Sequence, residues 1–210
     1  MRMFSTVSLV VLAGVLSAGC LQKEVAHTIY VSGSGATWSV IEKDVRSDEQ
    51  VPARRIAEEH DYVLAARAGR HPVAQAFRRL GAQAVTTTWL REQRPYTVLT
   101  EGRFADLRAL ATAVLRESQA RGDATLAREG TRSTLTVRID VTAENAGDDD
   151  TLDALLADLG DYRVVLSEGR FISAVGFTIE SDGAVARPDV PKTPEDGMLI
   201  LRLVWDDTPR

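Results

Sequence analysis

A single cysteine, Cys20, stands among 210 residues, so the chain can close no internal disulfide and must rely on its core. Lysine is scarce too: Lys23, Lys43 and Lys192 are three of 25 basic residues, the rest being arginine. That bias is of the kind a GC-rich genome imposes and carries no functional signal. Against 30 acidic residues the formal charge is −5. A negative balance argues against nucleic acid as a partner, whose phosphates need clustered cations, and leaves no polybasic patch for anionic lipid. Histidine occurs only at positions 27, 60 and 71. No G-x-S-x-G elbow, H-E-x-x-H pair, alternating D-x-D-x-D-G calcium loop or phosphate-binding loop is present. The sequence therefore assigns no catalytic residue, no metal ligand and no cofactor, and leans away from an enzyme.

What the chain does have begins at its first residues. Arg2 gives a positive start, Met3 to Gly19 carries no charge, and Val7 to Leu16 is the densest apolar stretch. Charge, short apolar core and small terminal residues are the three parts of an export signal. The apolar core is short for a spanning helix, which needs about 20 apolar residues. The run Leu16-Ser17-Ala18-Gly19-Cys20 resembles the lipobox of bacterial lipoproteins, with Ser17 where leucine is commoner. That resemblance covers about the first tenth of the chain. It implies that 1–19 is a cleaved signal peptide and that Cys20 is the first mature residue, carrying diacylglycerol on sulfur and an acyl chain such as palmitate on its amine. The membrane is then the expected partner, through the lipid on Cys20. Leu21 stands where an aspartate marks inner-membrane retention in enterobacterial lipoproteins, which points to the outer membrane, facing the periplasm. Residues 20–27 are expected to form a short lipidated tether and 28–210 a single domain.

Without residues 1–19 the chain keeps 191 residues, enough for one sizeable core. Thr28–Val31 and Thr37–Ile41 flank Ser32-Gly33-Ser34-Gly35-Ala36 and predict a hairpin. Ser47 with Gln50 has capping-box spacing and Pro52 suits a first helical turn. Ala53, Ile56, Ala57, His60, Leu64 and Ala68 then share one helical face, expected to point inward. A short helix should start at Pro72, with Val73, Phe77 and Leu80 inward and Gly81 past its end. Val85–Arg91 and Tyr96–Thr100 make a second hairpin candidate. Phe104, Leu107, Ala111, Val114, Leu115 and Ser118 predict an amphipathic helix. Thr125–Arg128 and Thr134–Val141 predict a third hairpin about Gly130, its second strand turning Leu135, Val137, Ile139 and Val141 inward. A polar loop over 143–150, a helix over Thr151–Leu159 and strands over Tyr162–Ser167, Phe171–Glu180, Ala184–Ala186 and Met198–Trp205 complete the chain. The class expected is α+β, a mainly antiparallel sheet built from hairpins with about four helices packed on it.

Few constellations invite chemistry. His60 lies among Glu58, Glu59 and Asp61, but ligands on a helix recur at three or four residues, so a partly buried structural histidine is the better reading. Asp148, Asp149 and Asp150 before Thr151 suit a helix start better than a calcium loop. Trp38, Trp89 and Trp205 fall in strand candidates and read as core. The strings Val98–Phe104 and Val165–Phe171 differ by one Thr/Ser exchange and read as a shared turn rather than a duplication. The function expected is a membrane-anchored envelope lipoprotein whose domain binds an envelope protein partner or scaffolds an assembly. An apolar-ligand carrier is the alternative, and an envelope hydrolase a weaker third.

Overall fold

The computed structural model describes residues 21–33, 35–118, 120–141, 162–189 and 197–208. Residues 1–20, the loop at 143–150 with its three aspartates and the expected helix over 151–159 lie outside them, as do Pro191 and Pro194. The described elements are β1 (Leu21–Ser32), β2 (Gly35–Ser47), α1 (Pro52–Arg67), α2 (Pro72–Arg79), β3 (Ala84–Arg91), β4 (Tyr96–Phe104) and α3 (Leu107–Glu117). They continue with β5 (Gly122–Glu129), β6 (Arg132–Asp140), β7 (Tyr162–Leu166), β8 (Arg170–Val175), β9 (Phe177–Ile179), β10 (Val185–Pro188) and β11 (Met198–Asp206). The α+β class and the mainly antiparallel pairing are as expected. Where about four helices were expected, three lie among the described residues.

Among the described residues two sheets form rather than one. The larger has the order β3-β4-β2-β1-β7-β10-β9 and the smaller β5-β6-β11-β8. All three expected hairpins pair antiparallel, as β1 with β2, β3 with β4 and β5 with β6. Among the described residues the exception to antiparallel pairing is β1 with β7, which run parallel with Ile29 opposite Val164. Gly176, at φ 73°, breaks the expected strand 171–180 so that β8 joins the smaller sheet and β9 the larger. A left-handed backbone of this kind costs glycine nothing.

One core serves both sheets. Ile29, Val31, Trp38 and Val40 of the larger sheet meet Leu135, Val137, Ile139, Leu199, Leu201 and Leu203 of the smaller. The clean alternation of β6 gives Leu135, Val137 and Ile139 the inward face, as its pattern predicts. Helix α3 touches strands of both sheets and buries Leu107, Leu110, Ala113 and Leu115. Its start is displaced from the sequence reading: Phe104 belongs to β4, and Asp106 caps the helix by accepting the Ala109 N–H at 2.7 Å.

A second, smaller apolar cluster holds Val45, Tyr62, Ala66 and Val98, with Leu21, Val63, Trp89 and Tyr96 around it. It lies under α1, and here the structure reverses two expectations. Residues 21–27, read as tether, are strand, and Leu21 packs on this cluster. Helix α1 turns Glu59, Tyr62 and Ala66 inward, while Ala53, Ile56, Ala57, His60, Leu64 and Ala68 are all exposed. The periodicity is real, but the face that meets the sheet is the other one: Tyr62 and Ala66 join the apolar cluster, while Glu59 and the Tyr62 hydroxyl find polar partners on β2. The expected cap is also absent: Ser47 ends β2 and Val51 takes the N-cap position with no side-chain hydrogen bond.

Candidate functional site

The inward faces of β1, β2 and β4 each carry one polar residue between the two apolar clusters. On β1 it is Lys23, on β2 Glu42 and on β4 Thr100, which sits between Val98 and Gly102. On β2 an extra residue, Asp44 at φ 52°, forms a bulge opposite β1 and β4. The bulge resets the alternation so that Glu42, Val45 and Ser47 all face inward. Helix α1 brings Tyr62 to this layer, and the loop before Pro72 brings His71.

The side chains close on one another. Lys23 pairs with Glu42 through Oε1, and the Tyr62 hydroxyl donates to Glu42 Oε2 at 3.1 Å. His71 Nε2 lies 2.8 Å from Thr100 Oγ1 and 3.7 Å from Glu42 Oε2. Glu42, His71 and Thr100 are 0% exposed. Beside this layer Ser47 N–H donates to Glu59 Oε1 at 3.0 Å, and the Arg94 side chain grips the same carboxylate at 2.9 Å. Burial raises the Tyr62 hydroxyl far above its ordinary range, with the neighbouring charge of Glu42 adding to it.

Histidine, carboxylate and hydroxyl together suggest a relay, but the geometry does not make one. A catalytic triad sets its carboxylate behind the ring nitrogen opposite the nucleophile. Here Thr100 and Glu42 share Nε2, and Nδ1 has no hydrogen-bond partner among the described residues. Substrate has no path to residues that are fully enclosed. The cluster is a polar staple joining α1, α2 and three strands.

His71 is held below the usual histidine range, first by burial, with Lys23 and Arg78 adding to that and Glu42 opposing it. Folded His71 therefore stays neutral where the unfolded imidazole, near pKa ~6.5, takes a proton. Its contribution to stability is present above pH ~6.5 and lost as the pH falls through the lowered value. The urea midpoint should drop between about pH 7.5 and 5.5, and His71→Gln should remove most of that slope. A slope unchanged in the variant would assign it to other groups.

None of the five residues of the layer, Lys23, Glu42, Tyr62, His71 and Thr100, was singled out as a site from the sequence; beside it, Ser47 was read as a cap and Glu59 only as a neighbour of His60. The signal available was a charge or hydroxyl falling in the apolar phase of a strand: Glu42 follows Trp38 and Val40 at period two. The residues that were singled out scatter. His60 is exposed on α1, not part of the interior. His27 lies in β1, where Trp38 Nε1 donates to its Nδ1 at 3.3 Å. Trp38 and Trp205 are core residues, while Trp89 is half-buried beneath Arg67. Among the described residues no group of acidic, histidine or cysteine side chains could hold a metal, and no helix is long and apolar enough to cross a membrane. A shallow depression is lined by Val31, Gly33, Gly35, Leu107, Leu126 and Trp205.

No family model matches the chain, and no curated protein matches it. Among solved structures, the NMR structure of the folded domain of Mycobacterium tuberculosis LppM is similar over 90% of this chain and 91% of that one, at 15% identity and a TM-score of 0.38.

Proposed function

We propose that the chain is a lipoprotein of the bacterial cell envelope, anchored through Cys20 and facing the periplasm, whose α+β domain binds an envelope partner. The observation that carries this reading is the junction at Leu21. The residue after the lipobox cysteine is already a paired strand residue, opposite Ser47, and is packed on the smaller apolar cluster. The lipid is thus joined to the domain with no free linker, and the domain works at the membrane surface. Partner binding suits a domain whose most reactive-looking cluster is closed to solvent. Strand β8 supports it: this edge strand of the smaller sheet leaves Ile172 and Val175 each 45% exposed.

Cys20→Ala is expected to abolish lipidation and leave the precursor uncut by the lipoprotein peptidase. Mass spectrometry of the N-terminal peptide and membrane fractionation read this directly. Normal processing and attachment in the variant would sink the lipoprotein reading. In the same cells, crosslinking should capture a specific protein with the native chain and lose it with Cys20→Ala. A native chain that captures none would overturn the partner-binding part alone.

A further inference from the structure

Helix α1 is held to the larger sheet by little apolar surface. Of its inward residues, Tyr62 and Ala66 join Val45 and Val98 in the smaller cluster, with Val63 at its edge, and Glu59 is polar. Helix α2 is held differently. Phe77 and Leu80 belong to the main core, where the Phe77 ring centroid lies 5.4 Å from that of Trp38. Residues 68–71 join the two helices, with Gly69 left-handed at φ 60° and Arg78 of α2 donating to its carbonyl oxygen. His71 ends this link. It stands at the N-cap of α2 but makes no side-chain cap, and its ring is turned instead into the polar layer, fully buried.

Every element around that ring contributes a group. Strand β1 brings the Lys23 ammonium, β2 the Glu42 carboxylate and β4 the Thr100 hydroxyl. Helix α1 brings the edge of Tyr62, with ring centroids 6.4 Å apart, and α2 the Arg78 guanidinium. Glu59, the other inward charge of α1, is taken by Arg94 and the Ser47 N–H. The neutral ring suits this setting with its hydrogen on Nε2, towards Thr100 and Glu42, and a bare lone pair at Nδ1. A protonated ring carries a second N–H at Nδ1, where no acceptor lies among the described residues. Both oxygens of Glu42 are already engaged, by Lys23 and by Tyr62. A buried N–H without an acceptor is costly, and water is where this one can find a partner.

We propose that His71 is an acid latch on α1: a proton taken at Nδ1 swings the 68–71 link out to water and frees α1 from the larger sheet, while α2 and the two-sheet core stay in place. Glycine at 69 lets the link turn without strain. Release uncovers Val45 and Val98, so acid presents an apolar surface that the neutral protein keeps closed. Burial holds the closed ring neutral, whereas the released ring takes its proton near pKa ~6.5. Opening is therefore disfavoured above that pH and grows below it, by about five- to tenfold between pH 7.5 and 5.5.

Hydrogen exchange on the full chain, read segment by segment and corrected for the intrinsic effect of pH, tests this. The amides of α1 should be less protected than those of β6 at each pH, and about 1 M urea should barely change them, because a local opening exposes little surface. Their protection should fall about five- to tenfold between pH 7.5 and 5.5. In His71→Gln, whose amide can still donate to Thr100 but takes no proton, that fall should vanish. His71→Leu, which neither titrates nor needs a partner, serves in its place should the glutamine variant not fold. Protection of α1 that ignores pH in the native chain overturns the latch. Equal protection of α1 and β6 with a shared dependence on urea also overturns it, since the whole domain then opens as one. A fall confined to α1 that survives removal of the imidazole overturns it in favour of another titrating group.

Discussion

Glu42→Ala should lower the melting temperature by roughly 6–20 °C, since breaking a buried ion pair costs about 3–5 kcal/mol and each kcal/mol moves a domain of this size by about 2–4 °C. Removing the carboxylate strands three partners at once. The Lys23 ammonium, only 10% exposed, loses its counter-charge, the Tyr62 hydroxyl loses its acceptor, and His71 loses the neighbour opposing its desolvation. Replacing both ions by apolar residues of similar length removes the stranded charge as well as the pair. The double variant Lys23→Met, Glu42→Met should therefore recover most of the loss. Calorimetry on the two proteins decides the matter. A single variant within 2 °C of the native chain would mean that water reaches Lys23, and that the layer is not sealed.

The next largest effect should come from Gly169→Ala, and it should exceed that of Gly102→Ala. A Cβ at 169 would sit 1.9 Å from the Asp206 carbonyl oxygen, on a backbone at φ 78°. Strand pairing fixes that oxygen, because Asp206 of β11 is registered against Arg170 of β8. A left-handed backbone adds about 1–2 kcal/mol for a residue with a Cβ. At 102 the same atom meets the Phe77 ring at 2.7 Å, on an ordinary strand backbone. A side chain can give way where a backbone cannot. Chemical denaturation of both variants should rank them in that order, and the reverse order would show that β8 and β11 part easily at this end.

These two glycines also show what local sequence could and could not express. They stand in near-identical strings, yet Val98–Phe104 runs straight through β4, while Val165–Phe171 leaves β7, turns at Gly169 and enters β8. The shared-turn reading fails because only one copy turns. Seven residues do not fix their own path when strand partners on either side decide it. Alternation in β6 and the hairpin signals were legible because they depend on neighbours close in the chain. The inward residues of α2 were legible for the same reason. Pairing of β1 with β7 joins residues some 135 positions apart, as in the Arg163–Thr28 hydrogen bond, and leaves no local mark. Helix α1 misled for a related reason. Periodicity reports that a helix has two unlike faces, and the sheet below it determines which one is covered. The polar layer was hidden because its members come from five separate segments, each contributing one unremarkable residue.

Strand β1 begins at Leu21 and has a neighbour on both sides, β2 running against it and β7 alongside. A pull applied at residue 20 is thus directed along the strand, with the rest of the molecule resisting from the far end. The cross-strand hydrogen bonds then share the tension together, in shear, instead of opening one at a time as they would if the same force peeled an edge strand such as β3. On the lipoprotein reading proposed above, the load of the anchor would fall on a central strand held on both sides, not on an edge that can be peeled.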